Sequence, residues 1–163
     1  MDLKLRQLST LRDIAPEAWD TLAGDGPFLK HAFLSALETS GSVGPGTAWL
    51  PSYLLVSDAD GLAGAMPLFV KHDSRGEFVF DWGWADAYER SGRPYYPKLV
   101  ASVPLTPATG PRLLTRPGCD TAAVGAALVR GARSVAAKVG ASSLHVLFPT
   151  DAERQLLDPN AMH

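Results

Sequence analysis

The feature that most limits the fold is a tight turn set between two apolar runs near the middle of the chain. Tyr53-Leu-Leu-Val-Ser57 is followed by Asp58-Ala-Asp-Gly61 and then by the run Leu62 to Lys71. Branched and aromatic residues flanking a short Asp/Gly turn are hairpin chemistry, so the two runs are predicted to pair antiparallel. A second turn, His72-Asp-Ser-Arg-Gly76, leads into Phe78-Val-Phe-Asp-Trp-Gly-Trp84. Read with a period of two, this third run puts Phe78, Phe80, Trp82 and Trp84 on one face of a strand. The middle of the chain is therefore expected to be an antiparallel meander.

Other elements flank it. Leu3 to Leu8 can form a first strand, and Ala15-Pro-Glu-Ala-Trp-Asp-Thr-Leu22 reads as a short helix with Pro16 in its first turn. Gly24-Asp-Gly-Pro27 stops that helix, and Phe28 opens a second one that runs to Leu37. Leu99 to Val103 is a weaker strand. Pro104, Pro107 and Pro111 follow it, which predicts an edge strand or an extended loop. Asp120 or Thr121 can cap a helix in which Val124, Leu128, Val135 and Val139 share one side, and Gly140 ends it. Ser142 to Phe148 supplies another strand, Pro149 to Gln155 begins a further helix, and Leu157 to His163 has no periodicity. The fold class is α/β, with a mixed, mostly antiparallel sheet flanked by helices.

At 163 residues the chain fits one domain, and its apolar share of 46% is too high for a disordered segment. Fifteen Lys and Arg residues stand against 17 Asp and Glu, a net charge of −2, so no broad field points to nucleic acid or to an anionic membrane. The single Cys119 allows no internal disulfide and no cysteine metal cluster, which suits a reducing compartment. Neither a signal-peptide run nor a membrane-spanning run is present, so the expected location is the cytoplasm. Histidines at 31, 72, 145 and 163 share no ligand spacing, so no metal site is expected. No nucleophile-elbow motif supports covalent catalysis.

Half of the aromatic residues lie between Phe78 and Lys98, mixed with acids and bases. Large flat rings give contact area at small rotamer cost, and charged neighbours give directed polar contacts. The segment reads either as a recognition surface or as a core strand followed by a solvated loop. As a recognition surface its binding residues are Trp82, Trp84, Asp86, Tyr88, Tyr95, Tyr96 and Lys98. Tyr95 and Tyr96, flanked by Pro94 and Pro97, are held extended with rings on opposite sides.

This block carries a family resemblance, together with Pro27-Phe-Leu-Lys-His-Ala-Phe-Leu34, Leu62-Ala-Gly-Ala-Met-Pro-Leu-Phe69 and Pro104-Leu-Thr-Pro-Ala-Thr-Gly-Pro-Arg112. From about Trp19 to Phe148 the chain resembles a bacterial family of FemAB-like proteins, which belong to the GNAT-fold acyltransferases and are often labelled as peptidoglycan biosynthesis proteins. The resemblance implies acyl or aminoacyl transfer to an amine-bearing acceptor, such as a cell-wall precursor. Relatives are typically built from two GNAT-like units in tandem, and this chain matches the first. Residues 1–148 are accordingly expected to be an N-terminal GNAT-like domain, with 149–163 the start of a linker or a second domain. The implied partner is that second unit or a second copy of the chain. The implied donor of the full-length protein is acyl coenzyme A or aminoacyl-tRNA, with no cofactor held by this chain alone. A non-catalytic glycan- or peptide-binding module and a structural half-domain are the rival readings.

Two further sets of residues carry candidate chemistry. A coenzyme A site of this fold has a glycine-containing loop whose free N–H groups at a helix start hold the pyrophosphate. The nearest loop here, Arg112 to Asp120, has one glycine, loses a donor at Pro117 and places Asp120 where a phosphate would sit. A weak or absent coenzyme A site is expected, with Arg112 and Arg116 as the cations best placed to meet an anion. An amine acceptor needs a base, and the candidates are Asp81, Asp86, Glu77 and His31. Asp81 is preferred as the catalytic residue, because a carboxylate desolvated beside Trp82 and Trp84 would have a raised pKa. His145, inside an apolar strand, reads as a packing residue.

Overall fold

A computed structural model describes residues 2–78 and 80–157 of the chain. In chain order its elements are β1 (Lys4–Leu8), α1 (Pro16–Ala23), α2 (His31–Thr39), β2 (Leu50–Pro51), β3 (Tyr53–Asp58), β4 (Gly61–Met66), β5 (Leu68–Lys71), α3 (Trp82–Arg90), β6 (Lys98–Ala101), β7 (Leu114–Thr115), α4 (Thr121–Val139), β8 (Leu144–Val146) and α5 (Asp151–Leu157).

The expected hairpin is present, with Asp58 opposite Gly61 and Gly61 at a φ of 112°, a conformation that suits glycine. The run expected as one strand from Leu62 to Lys71 is two. Pro67 divides it, so β4 pairs within the sheet β1-β3-β4-β7 while β5 pairs within the sheet β2-β5-β6-β8. The neighbouring ribbon changes sheet at Ser52 in step, and the Ser52 N–H donates to the Leu68 carbonyl at 2.8 Å across the bend. Proline has no N–H to give a ladder, which is why a continuous pairing breaks there.

The two faces of β3 show how the core is divided. Tyr53 and Leu55 point into a cluster with Trp19, Trp49 and Phe69, under α1 and α2. Leu54 and Val56 point into a second cluster with Val124, Leu128 and Val135 of α4. Gly64 sets the closest approach of α4 to the sheet, since a Cβ there would lie 2.3 Å from Val124 Cγ1. Asp120 caps α4 by accepting from the Ala123 N–H at 3.0 Å, and Gly140 ends it in the left-handed conformation.

Two expectations need correction. Lys98–Ala101 is an interior strand, antiparallel to β5 and parallel to β8, with all four residues buried. The prolines come after its last residue and leave its pairing intact. The aromatic run, in turn, is not a strand: Asp81 ends an irregular segment and α3 starts at Trp82. Alternating aromatics favour a strand only where neighbours pack against them, and among the described residues no strand pairs with this run. Ala85, Ala87, Glu89 and Arg90 are good helix formers and decide the outcome.

The α5 helix is docked to the rest of the domain. Glu153 of α5 is buried, and its Oε1 accepts from the N–H groups of Arg112 and Leu113, each at 2.6 Å. Among the described residues no helix is long and apolar enough to cross a membrane.

Candidate functional site

The last residue of β5 and the first of β6 are both lysines, and Lys71 and Lys98 face each other directly across the ladder. Period two puts their side chains on the face that carries Phe69 and Val100, so both point inward. Lys71 is 0% exposed and Lys98 1%. Two buried ammonium groups side by side repel, and Glu77 from the following turn separates them. Lys98 Nζ donates to Glu77 Oε2 at 2.9 Å, while Lys71 Nζ lies 3.6 Å from Oε1. Lys71 also donates to the Arg75 carbonyl at 2.8 Å and sits 3.9 Å above the Trp49 ring. Burial lowers the Lys71 pKa, Glu77 works against that and Lys98 adds to it, so the ammonium is brought down to about 8.

Asp81 closes the cluster from the start of α3. Its Oδ1 accepts from the Ser74 hydroxyl at 2.5 Å and from Tyr96 at 2.7 Å. Its Oδ2 accepts from Tyr95 at 2.7 Å and from Lys98. Burial by itself would raise this carboxyl, but the donors Lys98, Ser74, Tyr96 and Tyr95 outweigh it and hold the group well below the usual carboxylate range. The expected raised pKa is therefore corrected. A carboxylate so stabilised is a poor base, and Asp81 acts as the anchor that gathers four other side chains. Burial and then Asp81 push both Tyr95 and Tyr96 above the normal phenol range. His145, whose Nε2 is 2.8 Å from the Ser143 hydroxyl, is lowered by burial and by Lys98, with Asp81 opposing.

The aromatic rings next to Glu77 and Asp81 in the chain stand in water. Phe78 is 71% exposed, Phe80 54%, Trp82 60% and Trp84 67%, and Phe80 stacks on Trp82 with ring centres 4.7 Å apart. Tyr88, half-buried, meets the buried Tyr95 edge to face at 5.1 Å. Asp86 is exposed on α3. Of the two readings of this block, the core strand is excluded. The structure brings Asp81, Tyr95, Tyr96 and Lys98 into one cluster and leaves Trp82, Trp84 and Asp86 exposed on the surface.

The expected anion-binding cations are elsewhere and already engaged. Arg112 is fully buried and donates to the carbonyls of Leu147 at 2.9 Å, Pro111 at 2.9 Å and Ala108 at 2.6 Å. It ties the proline-rich loop to the end of β8 and is not available to a ligand. Arg116 holds Asp58 at 2.7 Å and the Leu62 carbonyl at 3.1 Å. With Asp120 capping α4 and both arginines committed, the residues present do not fit the pyrophosphate of coenzyme A. His31 is structural: its Nε2 meets the Leu11 carbonyl at 2.9 Å, holding α2 against the preceding turn.

Lys71, Ser74 and Trp49 join this cluster without being among the sequence candidates. A signal for Lys71 was present, because a lysine two positions after Phe69 in a buried strand must share its inward face. Nothing in the sequence indicates that Ser74 or Trp49 reaches the same place.

The fold is that of the GNAT acetyltransferases. The chain superposes on a GCN5-related N-acetyltransferase from Ralstonia eutropha JMP134 with a TM-score of 0.54 and 11% identity, over 95% of this chain and 88% of that one. It superposes on an aminoglycoside acetyltransferase from an uncultured soil metagenomic sample with a TM-score of 0.51 and 12% identity, over 90% and 79% of the two chains. Identities this low speak for the shared fold alone. The profile of the FemAB-like family, described as peptidoglycan biosynthesis/recognition, matches residues 10–163, and the chain belongs to that family. No curated protein matches the sequence.

Proposed function

We propose that this chain is the acceptor-recognising unit of a FemAB-like N-acyltransferase, the first of two GNAT-like units, acting on an amine-bearing cell-wall precursor in the cytoplasm. One observation carries the reading: four large rings, Phe78, Phe80, Trp82 and Trp84, stand exposed in one short segment whose Glu77 and Asp81 belong to a buried ionic cluster. Aromatic side chains have only two rotatable bonds, so ordering them against a ligand costs little for the contact area they give. Trp82 and Trp84 supply contact area, and Asp86 supplies an exposed carboxylate for the acceptor's ammonium. Tyr88, Tyr95, Tyr96, Lys98 and Asp81 position that wall from below. The donor, acyl coenzyme A or aminoacyl-tRNA, is held by the second unit or by a second copy of the chain. The capped α4 start supports that division of labour.

A titration with a soluble muropeptide bearing a free amine, followed by tryptophan fluorescence, tests the reading. Saturable quenching that Trp84→Ala weakens by roughly tenfold or more is expected, as for loss of a contact ring. An unchanged spectrum at millimolar muropeptide would refute it. The capped helix also supports a second reading, a glycan- or peptide-binding module without transfer. Muropeptide binding by a full-length protein that transfers no acyl group from either donor would decide for that module.

A further inference from the structure

Residues 82–94 are joined to the rest of the domain at their neck. Among the described residues, the hydrogen bonds of this stretch stay within it or return to Asp81. The Trp84 and Ala85 N–H groups donate to the Asp81 carbonyl at 3.0 Å, and the Arg93 N–H donates to the Tyr88 carbonyl at 2.9 Å. No residue of α3 is buried, and its rings meet others outside the stretch where Trp82 stacks on Phe80 and Tyr88 meets Tyr95. Such a helix has little of its own to hold it. Its nine residues fall short of the roughly 12–15 that let a helix persist alone in water, and most short helices make up the difference by burying one face. Ala85, Ala87, Glu89 and Arg90 favour helix over strand, but Gly83 in the first turn is a poor helix former. Asp81 stands at the N-cap position without capping, because its carboxylate is turned to Ser74, Tyr95, Tyr96 and Lys98.

We infer that α3 is a conditional helix: residues 82–94 pass between an ordered and a disordered state while the rest of the domain stays folded, and the Asp81 clasp selects the ordered one. Tyr95 and Tyr96, just past the end of the stretch, donate to the carboxylate of the residue that precedes it, each at 2.7 Å. Lys98 and Ser74 hold the same carboxylate to β6 and to the turn after β5. Closing the loop in this way removes entropy from its disordered state, and the fixed Asp81 carbonyl offers the first acceptor of the helical ladder. Disordering α3 uncovers no buried face of the helix, so its two states lie close in free energy and the neighbouring elements do not follow. The longer α4 differs, since it buries Val124, Leu128 and Val135 and opens only with the core. Trp82, Trp84 and Asp86 share a fixed arrangement only while α3 is helical. The clasp therefore switches that surface on, and any ligand that grips the three together draws the equilibrium toward the helix. This inference goes beyond the acceptor-wall reading and stands without it.

Amide hydrogen exchange of the whole chain without ligand, read residue by residue by NMR, tests this. Amides from Ala85 to Arg90 are expected to be about a hundredfold or more less protected than those from Leu128 to Val135 in α4. Gly83→Ala is the cleanest variant, because a Cβ added there meets nothing within 4 Å. It should raise protection in α3 by about three- to fivefold and leave α4 unchanged. Asp81→Asn should strip α3 of its protection while α4 stays protected. Equal protection in α3 and α4 of the wild type would show that the helix opens only with the whole domain, and would overturn the inference. So would Gly83→Ala leaving α3 exchange unmoved, or a folded Asp81→Asn protein with α3 protected as in the wild type. Should Asp81→Asn fail to fold, the Gly83→Ala comparison decides. The muropeptide titration has no part in these outcomes, so its failure would strike the acceptor wall alone.

Discussion

Two regions of this domain bury charge, and they treat it differently. Where the proline-rich loop meets β7 and α5, Arg112 and Glu153 are used up by backbone: three carbonyls take the guanidinium, and two N–H groups take one carboxylate oxygen. At the β5–β6 end, Lys71, Lys98, Glu77 and Asp81 pair with one another through side chains, and Glu77 and Asp81 are flanked in the chain by exposed rings. A charge fully spent on backbone holds a fold together and has nothing left for a ligand. A cluster of side chains with capacity to spare is where binding can be built.

The sharpest way to break the contrast is at the first region. Arg112→Met should cost about 3–5 kcal/mol in urea unfolding, because the guanidinium's partners are left buried and Glu153 loses its nearby cation. A loss under about 1 kcal/mol would show that the strut does not hold the loop. Asp81→Asn, at the second region, is expected to cost about 3 kcal/mol, since Lys98 loses its closest anion and two tyrosines lose a charged acceptor. Were Asp81 a catalytic base instead, the variant would melt normally and fail only in transfer.

Acidity gives the next test. Folding lowers the Lys71 pKa from 10.5 to about 8. Between those values the unfolded chain binds the extra proton and the native state does not, so this lysine makes stability rise with pH from about 8 to 10.5, by up to about 3 kcal/mol. Wild-type unfolding curves should therefore gain relative to Lys71→Met as pH climbs through that window. Parallel curves for the two proteins would show that Lys71 is not desolvated. The smallest effect on stability is expected from Trp84→Ala. A ring 67% exposed should change unfolding by no more than about 0.5 kcal/mol while weakening muropeptide binding by about 1–3 kcal/mol. A large drop in melting temperature would return Trp84 to a packing role.

Most of the scaffold follows from short stretches of the chain. The hairpin at Asp58–Gly61, the proline in the first turn of α1, and the Asp120 cap and Gly140 stop of α4 are local signals, each depending on a few neighbouring residues, and each appears where its chemistry puts it. The aromatic segment was legible as unusual but not as a helix, because alternating rings specify a strand only if another strand is there to receive them. Tertiary structure alone decided the sheet change at Pro67, the interior place of β6 and the direction of the Asp81 pKa. That direction depends on Lys98, Ser74, Tyr95 and Tyr96, which reach Asp81 from 7 to 17 positions away in the chain. Local sequence fixes backbone conformation, whereas desolvation and hydrogen-bond satisfaction belong to whatever the finished fold places alongside.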